Sequence, residues 1–390
     1  RDDLVTGVQT CALPIFKDQD LSNKNVVVRL DLNVPIQDKQ IIDSTRIISS
    51  VPTIKYLVNK NCKLLLTSHL GRPEEGRFDQ DFSMSPVAKK LSEILNHEID
   101  LIDSLDSSDI FNTTQIQLLE NLRFLIGEKD NNEKLGNQLA NKGDVYIFDA
   151  FGTAHRKQAS THSAIQQAKF SCAGLLLEKE INSLNKALTS IENPFTAVIA
   201  GSKISTKLEL IAHLNSKADF IVVGGGIANT FLKSQGFDVG ESLVENDMIE
   251  IAKELFNSGK ILLPNKVIVA DSIDSNSSTT KNIDSVSGSD KIFDINLTSN
   301  MSEILKNSKT ILWNGPIGVF EKEPFQKGTH QLAKTIAGSE AFSLAGGGET
   351  IAAINKFINK DEVSYCSTGG GAFLEYMEGK LLPSIEALGG

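Results

Sequence analysis

From residue 16 onward the chain repeats one rhythm. A short apolar run ends in a polar or glycine loop, and an amphipathic stretch follows. The runs are VVVRL at 26–30, KLLLTS at 63–68, IQLLEN at 116–121, DVYIFD at 144–149, FTAVIA at 195–200 and DFIVVG at 219–224. Further on come KVIVA at 266–270, KTILWN at 309–314, AFSLA at 341–345 and EVSYCS at 362–367. Continuous apolar strands alternating with helices predict parallel sheet covered on both faces. Ten such units exceed one comfortable sheet. The expected fold is therefore α/β, with two doubly wound, Rossmann-like, parallel-sheet domains spanning 16–174 and 191–379. The stretch LLLEKEINSLNKALTS at 175–190 has helical spacing and predicts a helical hinge between them. Residues 272–290, rich in Ser, Asn, Asp and Thr, read as a surface excursion.

Composition narrows the class. The 390 residues are 40% hydrophobic and 23% charged, which suits a globular chain with a sizeable core. A net charge of −10 argues against nucleic acid as a partner, and no apolar run approaches the length of a membrane helix. Cys11, Cys62, Cys172 and Cys366 are far apart and form no C-x-x-C pair, which predicts a reducing, cytoplasmic setting. Residues 1–15, RDDLVTGVQTCALPI, lack the layout of a signal peptide, and the first methionine is Met84. They resemble translated sequencing-adapter sequence joined to a truncated reading frame, and are expected to be a non-native, removable leader.

Charge is distributed unevenly. All seven arginines, Arg1, Arg29, Arg46, Arg72, Arg77, Arg123 and Arg156, lie in the first 156 residues, whereas lysines run throughout. An arginine fork grips carboxylate or phosphate through two parallel hydrogen bonds. The first-half strand runs lead into Asp31-Leu-Asn33, His69-Leu-Gly71-Arg72, Asn121-Leu-Arg123 and Ala150-Phe-Gly152-Thr-Ala-His155-Arg156, and Arg46 follows the first. Ligands of open α/β sheets bind at the carboxyl ends of the strands. If these loops share one sheet edge, Arg46, Arg72, Arg123, Arg156 and His69 converge on a small molecule carrying a carboxylate and a phosphate. Arg77 reads as solvated, Arg29 as structural, and His97, His213 and His330 as ordinary histidines.

The second half carries glycine loops after its strands: AGSK at 200–203, GGG at 224–226, NGP at 314–316, GGGET at 346–350 and STGGG at 367–371. Such loops bind phosphates through backbone N–H groups and helix dipoles. Lys203 and Lys207 sit where a strand meets a helix, although neither a Walker pattern nor G-x-G-x-x-G is present. Glu349 and Thr350 could reach magnesium or simply cap a helix. An anion half and a nucleotide half together suggest a kinase.

The segments RLDLNVP, SHLGRP, LLENLRF, DAFGTAHR, GSKISTKL, GGGIANTFL, WNGPIGVFE, GGGET and STGGGA resemble, in order, the signature set of the phosphoglycerate kinase family. The resemblance implies that Asp31, Asn33, Arg46, His69, Arg72, Arg123 and Arg156 hold 3-phosphoglycerate or 1,3-bisphosphoglycerate. It implies that Gly201, Lys203, Lys207, Gly226, Asn314, Pro316, Gly318, Val319, Glu321, Gly346, Gly347, Gly348, Glu349 and Thr350 bind ADP or ATP with Mg2+. Gly348, Gly369, Gly370 and Gly371 would face the transferring phosphate, Glu349 would contact the metal, and residues 380–390 would return to the first domain. A cytoplasmic monomer is expected. Two positions depart from the family pattern: Glu349 stands where aspartate is usual, and Asn296 where glycine often supports a left-handed backbone.

Because the nucleophile in such a reaction is already anionic, no general base is required, and positioning with charge neutralisation should carry catalysis. Arg46, Lys203 and Lys207 are the candidates. Two substrates on two domains would also require closure to exclude water. A catalytically silent nucleotide sensor, suggested by Glu349, and a dinucleotide-dependent oxidoreductase are the rival readings. ATP formation from 1,3-bisphosphoglycerate separates the first, and thermal shifts with Mg–ATP against NAD separate the second.

Overall fold

The computed structural model describes residues 13–16 and 19–389. Most of the 1–15 leader lies outside this range. The chain divides into two compact units, with the boundary between Asn182 and Ser183; the second unit ends at Lys380, and the chain from Leu381 belongs to the first.

The first unit is built on a six-stranded, all-parallel sheet. Its spatial order is Ile99–Ile102, Ile116–Leu119, Lys63–Thr67, Asn25–Leu30, Val145–Asp149 and Ser171–Ala173. The inner strands are buried almost throughout, as the continuous apolar runs require. The second unit's sheet runs Ile261–Leu262, Phe220–Gly224, Phe195–Ala200, Thr310–Asn314, Phe342–Ala345 and Tyr365–Cys366, also parallel. Counted along the chain, that order is 3-2-1-4-5-6, the Rossmann arrangement, and it reverses between Phe195–Ala200 and Thr310–Asn314. In the first sheet the chain likewise leaves Asn25–Leu30 on one side and returns on the other with Val145–Asp149.

Nine of the ten expected runs lie in these two sheets. The tenth, Lys266–Ala270, is the centre of a separate antiparallel sheet between Thr279–Asn282 and Lys291–Ile295. Residues 272–290 are correspondingly more than an excursion, since they supply the polar edge strand Thr279–Asn282 and the buried anchors Ile283 and Val286. The expected left-handed backbone at Asn296 is not found. That residue is absent from the positive-φ positions, and its N–H donates to the Lys266 carbonyl at 3.0 Å, so no glycine is required there. Pro14 and Ile15 touch the first sheet's edge: Pro14 O accepts from Ala173 N–H at 2.9 Å, and Ile15 bridges Ala173. Sheet contact therefore starts before residue 16. The thiols Cys62, Cys172 and Cys366 are buried and unlinked to one another.

The helix Leu175–Leu188 carries the chain from the first unit to the second. Its first turn is fastened by two buried side chains. Asp149 accepts from Leu177 N–H at 2.8 Å and from the Thr53 hydroxyl at 2.5 Å, and Thr53 Oγ1 accepts from Leu175 N–H at 3.1 Å. Burial pushes the Asp149 carboxyl up to about 6 from 3.8, against the opposing pull of these hydrogen bonds. The folded state therefore holds this proton more tightly than the unfolded chain, and its contribution to stability falls as pH rises from about 4 to about 6. Asp149→Asn keeps an acceptor for Leu177 and should flatten that slope. Asp149→Ala strands a buried N–H and should cost about 1–3 kcal/mol at acid pH, a cost that shrinks as pH rises because alanine has no carboxyl to ionise. Urea midpoints of the three proteins across this pH range check both expectations; parallel pH curves for wild type and Asp149→Asn would refute the assignment.

Candidate functional site

The loops at the carboxyl ends of the first sheet are tied together by neutral groups. Asn33 Oδ1 accepts from Gly71 N–H at 2.9 Å, and Ser68 Oγ accepts from Leu32 N–H at 2.9 Å. Asn121 accepts from the N–H groups of Leu70 and Arg123, both at 3.1 Å, and donates to Leu70 O at 2.7 Å. This scaffold presents charge. Arg46 Nη1 meets Asp31 Oδ2 at 2.7 Å. Arg123 Nη1 donates to Gly71 O, while its buried Nε has no partner among the described residues. Arg156 Nε lies 3.4 Å from His155 Nε2.

Mutual fields show that these groups converge. The imidazole of His69, 3% exposed, is driven well below its usual pKa by burial and then by Arg29, Arg123, Arg156 and Arg46. Burial, followed by Arg156, Arg29 and Arg72, lowers Arg123 to about 10, against a weaker opposing pull from Glu128. Arg156 is lowered by burial and by Arg29, Arg72 and Arg46, against Asp31. Every arginine expected in the cluster thus acts on another member of it. Arg77 is exposed and is not among the main charges acting on His69, Arg123 or Arg156. Arg29 is inside its strand and fully buried, as a structural residue should be, but it also faces His69. Cations gathered with so little compensating charge are stabilised by an anion.

In the second unit the loops meet where the strand order reverses. Lys207 Nζ donates to the carbonyls of Ala200 and Asn314, the last residues of the two central strands. Burial lowers it to about 8, and Glu349 partly opposes that. The turn after Asn314 needs glycine: Gly315 has φ +105°, and a Cβ there would meet Ala200 O at 2.0 Å. Thr350 Oγ1 accepts from Gly315 N–H and donates to Gly346 O, both at 2.8 Å, and Asn314 Nδ2 donates to Gly346 O at 2.8 Å. Thr350 therefore braces the loops and has no hydroxyl proton left to give.

A cavity of about 510 Å³ opens beside these loops. Gly201, Gly226, Pro316, Gly318, Val319, Glu321 and Glu349, all expected from sequence, line it. Gly346 packs on the Phe373 ring, Gly347 is the N-cap of the helix Gly348–Phe357, and Gly348 and Gly370 have open space around them. Gly369 N–H is taken by Ser367 Oγ at 3.1 Å, and Gly371 opens the helix Gly371–Met377. Lys203 is exposed, does not line the cavity, and acts on Glu245. Sequence reasoning missed the apolar wall formed by Leu243, Ile273, Ile292 and Phe293. Leu243 and Ile273 are large apolar side chains left 52% and 43% exposed, as a face for a flat ring would be. The IFDI run at 292–295 was the available signal.

Comparison with known proteins gives the family. The family model described as phosphoglycerate kinase matches residues 16–380. A phosphoglycerate kinase of Vibrio campbellii is 47% identical over 374 residues, covering 95% of this chain and 97% of the relative. One from Francisella tularensis subsp. novicida is 48% identical over 382 residues, covering 96% and 97%. The solved phosphoglycerate kinase of Coxiella burnetii superposes with a TM-score of 0.91 at 44% identity, covering 97% of this chain and 99% of that one. That of Pyrococcus horikoshii gives 0.79 at 30% identity, with 97% and 98% covered. With these likenesses spanning both units, the chain belongs to the phosphoglycerate kinase family.

Proposed function

We propose that the chain moves a phosphoryl group reversibly between 1,3-bisphosphoglycerate and ADP, giving 3-phosphoglycerate and ATP, with one substrate on each unit. The observation that carries the reading is the set of mutually repelling arginines around His69 at one sheet's carboxyl edge. Arg72, Arg123, Arg156 and His69 hold the three-carbon phosphate, with Asn33 fixing the loop beneath it. Arg46, kept in place by Asp31, addresses the carboxyl end, where the phosphoryl group leaves or arrives. The 510 Å³ cavity takes the nucleotide, base against Leu243 and Phe293 and phosphates toward the glycine loops and Lys207.

Magnesium would supply charge neutralisation on the nucleotide phosphates. Among the described residues no group of three or more acidic, histidine or cysteine side chains is placed to hold a metal by itself. Glu349 is an exposed carboxylate on the cavity wall, within electrostatic reach of Lys207. One carboxylate plus phosphate oxygens is an ordinary magnesium environment. No helix among the described residues is long and apolar enough to cross a membrane. A cytoplasmic monomer completes the proposal.

Removing a bidentate phosphate contact should be visible in kcat/KM. Arg46→Ala is expected to lower it about 30-fold or more, against a few-fold for Arg77→Ala; equal losses in the coupled ATP-formation assay would sink the cluster. Lys203→Ala should lower kcat about 10³-fold while changing the KM for ADP little, if its ammonium meets the moving phosphoryl group. An effect confined to KM would move that role to Lys207. Glu349→Ala should shift the magnesium titration of activity to higher concentration, and an unshifted titration would show that this carboxylate serves only the helix it opens.

A further inference from the structure

A buried chain of hydrogen bonds ends at His69, and the reaction as assigned above does not use it. Arg29 is fully buried in the central strand Asn25–Leu30. Its Nε donates to Ser160 Oγ at 2.9 Å, its Nη1 donates to Leu30 O, and its Nη2 lies 3.4 Å from His69 Nδ1. The Ser160 hydroxyl passes its own proton to Glu128 Oε1 at 2.5 Å, and Ser160 N–H donates to Glu128 Oε2 at 3.0 Å. Tyr146 holds the Ser160 carbonyl at 2.6 Å. Glu128 is 1% exposed.

The direction of each bond is fixed by chemistry. A guanidinium only donates, so whatever it meets must offer a lone pair. Ser160 accepts from Arg29 and spends its one proton on the carboxylate. At the far end, His69 Nδ1 can only be the unprotonated nitrogen, which leaves the ring neutral with its proton on Nε2. Among the described residues no carboxylate is hydrogen-bonded to the ring to call for a second proton. The charged groups acting on it are Arg29, Arg46, Arg123 and Arg156, all cationic. Asp31 is engaged by Arg46, and Glu128 by Ser160.

We propose that Arg29, held by Ser160 and Glu128, is a positioning residue that fixes His69 as a neutral imidazole with an Nε2–H donor for the anionic substrate. The proposal rests on the assignment of His69 to the 3-phosphoglycerate site. It makes His69 a directional hydrogen-bond donor in a field already rich in positive charge, and its service does not change across neutral pH. Glu128 supplies a buried carboxyl of opposite sign on the far side of Ser160 from Arg29.

The test is a ring-nitrogen NMR spectrum of the full-length enzyme labelled with 15N-histidine, with and without 3-phosphoglycerate. His69 should show an unprotonated Nδ1 and a protonated Nε2 from about pH 5 to about 8, where a free histidine would titrate. Adding 3-phosphoglycerate should move the Nε2 signal and leave Nδ1 in place. Ser160→Ala should let the ring sample both tautomers and raise the KM for 3-phosphoglycerate about 10-fold, with a smaller change in kcat, and Ser160→Thr should restore both. A wild-type ring protonated on Nδ1 at neutral pH overturns the proposal, as does a Ser160→Ala enzyme with an unaltered ring and KM. If Ser160→Ala fails to fold, the wild-type spectrum alone decides. A His69→Ala enzyme with normal KM would instead remove His69 from the substrate site, a different failure.

Discussion

Repulsion within the first unit's arginine cluster is the constraint around which that site is arranged. Two like charges about 7 Å apart oppose each other by about 2 kcal/mol at an effective dielectric constant of 20. Several such pairs would scatter unanchored side chains. The loops do not depend on ion pairs for their shape. Asn33, Ser68 and Asn121 bind loop to loop through neutral amides and a hydroxyl, so the backbone is set before any anion arrives. Against this, Asp31 answers Arg46, and buried Glu128 raises the pKa of Arg123 in opposition to its cationic neighbours. The remaining excess charge is what an anionic substrate neutralises.

The second unit solves its problem by shape. Its site lies where the strand order reverses, and the chain must pass close to itself there. Gly315 and Gly226 approach neighbouring carbonyls so closely that a Cβ would sit 2.0 Å from Ala200 O and 2.1 Å from Ser202 O. Thr350 and Asn314 lock the same loops from within. These glycines allow backbone to lie against backbone, whereas Gly348 and Gly370 have open space around them. A run of glycines in sequence mixes these two duties, and only the fold separates them.

The inner strands were legible because they are buried on both faces and read as unbroken apolar runs. The strands not anticipated in the two parallel sheets, Ile99–Ile102, Ser171–Ala173 and Ile261–Leu262, are all edge strands of two to four residues. Short, half-covered strands have little need of an apolar run. Lys266–Ala270 looked like its parallel counterparts because burial leaves the same imprint whichever way a neighbour runs. At the site, the arginines stood out against a lysine background. Leu243 and Ile273 did not, since a lone apolar residue in a loop gives no sign that it will face a cavity. The bracing role of Thr350 did not show either, because sequence gives a hydroxyl at a helix start without showing that it accepts from Gly315 N–H and donates to Gly346 O.

The confinement of arginine to the first unit follows from what crowding does to a cation. Burial and neighbouring arginines lower Arg123 from 12.5 to about 10, and it remains fully charged at neutral pH. The same displacement applied to a lysine, starting from 10.5, would bring it near the value of Lys207, which burial lowers to about 8 against the pull of Glu349. One such lysine is serviceable, because Glu349 and an arriving phosphate both favour its charged form. Four or five in mutual contact would shed protons to relieve their repulsion, and the charge that attracts the substrate would drain away. Arginine cannot take that escape. Where cations must stand together before the anion comes, the guanidinium keeps its charge; where a single cation sits among carbonyls, an ammonium suffices.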